Sequence, residues 1–428
     1  MSVTASPIEE LRARYRQGDA DPVAVVDAAL ARANGNAGGN VYLARDEAWS
    51  RTEAAKLRRE DLERQPLWGV PVSLKDCFDL AGFPTSCGSA FYRERNGVAE
   101  RDSAVAERLR AAGAVITGKT HLHQLAYGIT GENKDFGDCL QPRDAGLLTG
   151  GSSSGAAASV QEGSALAAIG TDTGGSVRAP AALCGLAGYR ASVTLGDGLW
   201  RGGAHLAATF DTIGWLYRDL RDGPLLAEAL LGVPRVDSPQ IAGLRIGLPP
   251  RAFLHDCEKD VLRGMQTWAQ ELEARGASFA AFDAAFWVEA MEIFAPIQAS
   301  EAAEIHRGNF QHFEPAIAER LAWGASISAE EVEGLRERLV GFRARMSALF
   351  DACDYLLLPC CPMAELRAGE DQSETRMQIL RYTTPMSLAG TPVVTLPARV
   401  GGMQLVGRVG GDAELLALSA ALVETGAV

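Results

Sequence analysis

A chain of 428 residues with 47% hydrophobic and 22% charged residues has ample material for a folded core and lies outside the disordered and fibrous classes. Its formal charge of −13, with no clustered Lys/Arg tract, argues against a nucleic-acid partner, whose phosphate backbone needs a basic patch. No apolar run is long enough to span a bilayer, and the first residues lack a charged segment followed by an apolar one, so the expectation is a cytoplasmic protein without a membrane partner.

In chain order, "SPIEELRARYRQG" and "DPVAVVDAALARAN" place apolar residues at helical spacing and predict two helices, the second opening with Asp21 before Pro22. From Leu67 the pattern changes. "VPVSL" reads as a strand, "SAVAERLRAAG" as a helix closed by Gly113, and "AVITGKT" as a strand. An Ala-rich helix then runs from Ser154 to a stop at Gly163, followed by a strand at "SALAAIG". Roughly Arg218 to Phe350 reads as helical, interrupted by a strand at "GLRIGLP". Strands return at "CDYLLLP", "PVVTLPA" and "GMQLVGR", before a final helix at "DAELLALSAALVE". Strand residues at both ends of the chain enclose the helices. The fold class expected is therefore α/β: a single large α/β/α domain over residues 1–428, with a central mixed β-sheet covered by helices. Within it, 1–66 holds N-terminal helices, 67–215 the core, 216–350 a mostly helical region, and 351–428 the returning strands and last helix.

Eight scattered cysteines show neither Cys-x-x-Cys spacing nor paired histidines, which suggests reduced, buried thiols rather than a zinc site or a disulfide framework. The adjacent Cys360 and Cys361 follow "YLLLP" and read as the end of a strand.

Several motifs carry rival chemistry. "GAVITGKT", Gly113 to Thr120, satisfies the phosphate-loop pattern, but a helix precedes Gly113 and Ala114 to Ile116 would themselves be the strand, the reverse of what that loop requires. "GSSSG" satisfies the nucleophile-elbow pattern centred on Ser153. It needs a strand upstream, where Pro142, Gly146 and Gly150 indicate a loop, and a histidine downstream. His255, His306 and His312 fall in the helical region, and only His205 sits in a plausible loop. His121 and His123 lie two apart without a third ligand at metal spacing, so no metal site is expected.

Lys75 alternates with Val70, Val72 and Leu74, so it shares a strand with apolar residues. Burial there would lower its pKa and make it a base near neutral pH, whereas an edge strand would let it reach water. "GTDTGGSVRAP" places Ser176 directly after Gly174 and Gly175, the bare backbone an oxyanion site requires, though a tight turn would use the same glycines.

Together, "GVPVSLKD", "AAGAVITGKTH", "AYGITGEN", "GGSSSGAAASV", "GTDTGGSVRAPAALCGLAGYR" and "TFDTIGW" resemble, in order and spacing, the amidase signature family of serine hydrolases. The resemblance runs from about Leu67 to Gly214 and returns faintly at "TTPMSLAGTPVVTLPA" and "LVGR". It implies an amidohydrolase cleaving a C–N bond of a small or medium carboxamide, with water as co-substrate and no metal or organic cofactor. Ser176 takes the place of the nucleophile, Ser152 of the bridging serine and Lys75 of the base, and the 24-residue separation of the two serines matches the family's spacing. The bridging serine is expected to follow a cis peptide bond.

The resemblance further assigns the oxyanion donors to the backbone N–H groups of Thr173, Gly174, Gly175 and Ser176. Asp172 and Arg178 become a supporting pair, Ser153 a supporting hydrogen-bond donor, and Tyr127, Gly128 and Ile129 the lining of the substrate pocket. Two alternatives remain: an amidotransferase A-type subunit that passes ammonia to a partner-bound acceptor, and an inactive binding protein on the same fold. Homodimerisation is left open. The chain departs from the family where "GYRAS" replaces Gly-aromatic-Lys-Pro-Thr, which implies a local change of backbone stiffness. It departs again at "PARVGGMQLVGR", whose loop is short and is expected to reshape one wall of the cleft.

Overall fold

Residues 5–423 are described by a computed structural model, and the first two elements show how local sequence sets their ends. Helix α1 (Pro7–Gln17) begins where Ser6 accepts the N–H of Glu9 and ends at Gly18 in the left-handed conformation. Helix α2 (Pro22–Gly35) begins the same way, with the Asp21 carboxylate accepting the N–H of Ala24. Ile8, Leu11 and Tyr15 recur at helical spacing and are buried.

Eleven strands hydrogen-bond into one sheet: β1 (Tyr42–Ala44), β2 (Pro71–Lys75), β3 (Val115–Thr120), β4 (Ala167–Asp172), β5 (Ala187–Arg190), β6 (Thr212–Tyr217), β7 (Arg245–Leu248), β8 (Ser278–Ala281), β9 (Tyr355–Pro359), β10 (Val393–Leu396) and β11 (Met403–Val406). Their order across the sheet is β1-β3-β2-β4-β6-β5-β10-β11-β9-β7-β8. β2 pairs in parallel with β3 and β4, joined by crossovers through α3 (Ala104–Ala111) and α4 (Ser154–Glu162). The centre, from β4 through β9, is antiparallel, and β9, β7 and β8 are parallel again, so the sheet is mixed. Every residue of β2, β3 and β4 is buried, as expected of strands covered on both faces. β5 pairs with β10 across some 200 residues of sequence, so both ends of the chain build one α/β domain.

Helix α5 (Arg178–Cys184) lies between β4 and β5, and between β6 and β9 the chain is mostly helical, including α6 (Ala290–Ile305), α7 (Pro315–Ser326) and α8 (Ala329–Ala352). Two helices follow β9: α9 (Thr375–Ala389) and α10 (Asp412–Val423). The last helix was expected to include Glu424, which lies outside the described residues, as do the outer limits of the 1–428 domain. The helical expectation for 218–350 missed β8. Its sequence "SFAA" forms an exposed edge paired only with β7 and carries no apolar alternation to reveal it.

All eight cysteines are free; seven are buried, and Cys360 and Cys361 directly follow β9. Among the described residues no helix is long and apolar enough to cross a membrane.

Candidate active site

β2 ends at Lys75, and its place between β3 and β4 removes the edge-strand alternative: the side chain has no route to water and is fully buried. Nζ lies 2.8 Å from Ser152 Oγ and 2.8 Å from Thr171 Oγ1. Burial lowers the pKa of the amine, and no carboxylate forms an ion pair with it among the described residues. Thr171 was not singled out from the sequence. It sits on β4 beside Lys75 because β2 and β4 pair Leu74 with Ile169, a register that no local pattern reveals.

Ser152 is in the turn before α4, and the Gly151–Ser152 peptide is cis. Its carbonyl accepts the N–H of His123 at 3.2 Å. The next residue joins the two serine segments, since Ser153 N–H donates to the carbonyl of Ser176 at 3.1 Å. Ser153 Oγ donates to the carbonyl of Thr171, and no histidine side chain hydrogen-bonds to it among the described residues. His205 instead stacks on Trp200 and meets Asp211 through Nδ1 at 2.9 Å, so the elbow arrangement is not formed.

Ser176 lies in the loop between β4 and α5. Gly175 before it has φ +122, and a Cβ there would stand 2.9 Å from the Thr383 side chain, so only glycine fits. Of the four expected backbone donors, Gly175 differs: its N–H is taken by Asp172 Oδ1 at 2.9 Å. The N–H groups of Thr173, Gly174 and Ser176 have no hydrogen-bond acceptor among the described residues.

Asp172 organises this loop. It accepts N–H bonds from Gly175, Val177 and Arg178, and both its oxygens meet the Arg178 guanidinium at 2.9–3.0 Å. Arg190 adds a second guanidinium, 3.0 Å from Oδ1. Burial alone would raise the carboxyl pKa, but the two arginines and their hydrogen bonds outweigh it and hold the group well below the usual carboxylate range. The sequence indicated only a change of stiffness at "GYRAS". Arg190 is in fact fully buried and bonded to Asp172 at the base of the Ser176 loop, a placement that becomes visible only once β5 is placed two strands from β4. Arg178 also reaches the Thr383 carbonyl, Ser387 Oγ and Gln404 Oε1.

Lys119, from the phosphate-loop pattern, lies on β3 rather than in a loop and pairs with Asp76 at 2.6 Å in the interior. His121 and His123 do not form a pair of ligands. Burial drives their pKa values down to about 4 and about 3, His121 Nε2 sits 2.9 Å from the Gly137 carbonyl, and the His123 ring packs on Gly128. Among the described residues no group of three or more His, Cys, Asp or Glu side chains is arranged to hold a metal ion.

Ser176 opens onto a narrow cavity of about 20 Å³. Tyr127, Gly128 and Ile129 form one wall; Gln298 of α6 and Arg376 and Leu380 of α9 form another, and no sequence motif points to these last three. The short loop at 397–402, expected to reshape the cleft, contributes no residue to this cavity. It lies on the helix Lys259–Ala274, with Val400 O 3.2 Å from where a Cβ of Gly264 would stand.

A buried lysine–serine contact thus lies near a serine preceded by two glycines, at the ends of strands in a large mixed α/β sheet. Residues 24–416 match the family model described as Amidase, and the chain belongs to this amidase signature family of amide-hydrolysing enzymes. It is 31% identical to the 2-amino-5-chloromuconic acid deaminase of Comamonas testosteroni, over 98% of this chain and 96% of that protein. It is 30% identical to a glutamyl-tRNA(Gln) amidotransferase subunit of Geobacter sulfurreducens, over 91% of this chain and 90% of the relative. A solved amidase crystal structure superposes with a TM-score of 0.87 at 30% identity, covering 97% of this chain and 99% of that one.

Proposed function

We propose that this enzyme hydrolyses a small or medium carboxamide through a Ser176–Ser152–Lys75 relay and an acyl-enzyme. The observation that carries the reading is the 2.8 Å contact of a fully buried, unpaired Lys75 amine with Ser152 Oγ. In its neutral form, which the burial-lowered pKa favours, Lys75 accepts the Ser152 hydroxyl proton, Ser152 accepts that of Ser176, and Ser176 Oγ bonds to the amide carbon. The carbonyl oxygen gains the negative charge, for which the uncommitted N–H groups of Thr173, Gly174 and Ser176 are the donors in this reading. Collapse breaks the C–N bond, and the proton held on Lys75 returns through Ser152 to the departing ammonia or amine. Water repeats the relay on the ester and releases the carboxylic acid.

Asp172, Arg178, Arg190 and Ser153 act as positioning residues in this scheme, and Tyr127, Gly128 and Ile129 as pocket lining. A homodimer remains compatible with this reading, and eight free thiols suit a reducing, cytoplasmic setting. The similarity to a Geobacter amidotransferase component favours a second reading, in which the ammonia passes to a partner-bound acceptor. A fluorophosphonate probe and an ammonia assay on the purified chain separate these. An adduct on Ser176, with ammonia release lost in Ser176→Ala, is the expected result. Labelling without release by the isolated chain favours the partner-dependent reading, and no adduct favours an inactive binding protein.

A further inference from the structure

Three side chains anchor the loop that carries Ser176. Asp172 accepts the N–H groups of Gly175, Val177 and Arg178, and Thr383 Oγ1 donates to the Gly174 carbonyl at 2.5 Å. Neither of these bonds to Thr173, the first of the uncommitted backbone donors. Thr173 is held from another direction: its hydroxyl donates to Asp211 Oδ1 at 2.6 Å, 38 residues further along the chain. The sheet register sets this contact. β4 and β6 run antiparallel with Asp172 opposite Thr212, so one step beyond the ladder Thr173 comes opposite Asp211. The other oxygen of Asp211 is filled separately. Oδ2 accepts the N–H groups of Leu206 and Ala207 at 2.9 and 3.1 Å and meets His205 Nδ1 at 2.9 Å, and Leu206 borders the Ser176 cavity. One buried carboxylate therefore holds the nucleophile loop with one oxygen and a cavity wall with the other.

Resting on Ser176 as the nucleophile and the Thr173 N–H as an oxyanion donor, we infer that Asp211 is a positioning residue that aims this donor through the Thr173 hydroxyl. A threonine side chain is stiff at its first torsion, and a short bond from its hydroxyl to a carboxylate fixes that torsion and with it the backbone that bears it. The Thr173 N–H belongs to the peptide that joins it to Asp172, and Asp172 is itself clamped by Arg178 and Arg190, so this peptide is held on both sides. Such restraint matters because an oxyanion donor is effective when it already points to where charge will develop. Asp211 forms no hydrogen bond to Ser176 among the described residues, so its effect on the reaction passes through Thr173.

Attack on a fluorophosphonate probe develops charge on an oxygen facing the same donors, so labelling kinetics test the role directly. The limiting rate kinact reports the reaction step, and the half-saturating concentration KI reports binding. Thr173→Val keeps the shape of the side chain without its hydroxyl, whereas Thr173→Ser keeps the hydroxyl. The expected result is a kinact lowered about tenfold to a hundredfold in Thr173→Val with KI within about threefold, and a Thr173→Ser variant within about threefold of the wild type in both. Asp211→Asn should lower kinact as well, and combining it with Thr173→Val should cost less than the product of the two single losses, because both act on one contact. Melting curves identify the folded variants, and the two Thr173 variants decide the matter if Asp211→Asn does not fold. An unchanged kinact in Thr173→Val, equal losses in Thr173→Val and Thr173→Ser, or a double loss equal to the full product overturns the inference. A wild type that gains no adduct on Ser176 overturns the nucleophile assignment instead, so the two failures are told apart.

Discussion

Lys75 Nζ and Ser152 Oγ lie 2.8 Å apart, deep in the sheet, and no acidic side chain pairs with the lysine among the described residues. The neutral amine is the reactive form in the proposed relay, and its fraction grows as pH rises through a pKa that burial has lowered. The pH profile of kcat/KM should therefore rise on its acid side and level off below the ordinary lysine range near about 10.4. Lys75→Ala should cost about 10²–10⁴ in kcat/KM while the melting temperature shows a folded protein. A profile flat through neutrality, or a Lys75→Ala variant with near wild-type turnover, would remove the lysine from the mechanism.

Asp172→Asn should be among the most destabilising single changes. It leaves Arg178 and Arg190 buried beside a neutral amide, and breaking such a buried pair costs about 3–5 kcal/mol. The folded-state pKa of Asp172 is depressed, so its contribution is present above the unfolded value near about 4 and is lost as pH falls below it. Urea denaturation at pH 7 and pH 4 tests this: the gap between wild type and variant should narrow in acid, and a gap that widens contradicts the pairing.

Asp222 behaves in the opposite sense. Burial pushes its pKa up to about 7, against hydrogen bonds from Ser6 and from the N–H of Ile8. The folded state therefore holds the proton more tightly than the unfolded chain. The stabilisation is complete below about pH 4 and disappears as pH rises to about 7. In thermal melts, Asp222→Asn should gain on the wild type as pH rises from 4 to 8; a constant difference would show that Asp222 does not titrate there.

Gly128 is held by sterics. A Cβ there would stand 2.1–2.2 Å from the His123 ring, too close for either group to keep its place. Gly128→Ala should cost about 1–3 kcal/mol, typical of an overpacked core, and should reduce turnover because Gly128 borders the Ser176 cavity. Adding His123→Ala should recover a good part of the lost melting temperature. A double variant no more stable than Gly128→Ala alone would place the cost elsewhere.

How far the sequence disclosed all this depends on the range of the interaction. The caps of α1 and α2 and the strands around Lys75 follow from neighbours three or four residues away, so they were legible. The ordered motifs marked the segments of Lys75 and Ser152, although the contact between the two side chains depends on the sheet. Thr171, Arg190, Gln298 and Arg376 were not, because their importance lies in partners on other strands and helices. Arg190 touches Asp172 from 18 residues away, and Arg376 and Gln298 face one cavity from two helices. The Gly175 N–H shows the same limit from the other side: the glycine was legible, but the carboxylate that occupies its N–H was not.

Arg178 is anchored to Thr383, Ser387 and Gln404, which follow it by 205, 209 and 226 residues. On the ribosome, at about 5–20 residues per second, the segment bearing Ser176 waits roughly ten to forty-five seconds before those anchors exist. In the proposed mechanism the loop bearing Ser176 gains its anchors only as the last strands join the sheet, so the timing of synthesis would delay the nucleophile until the protein around it is complete.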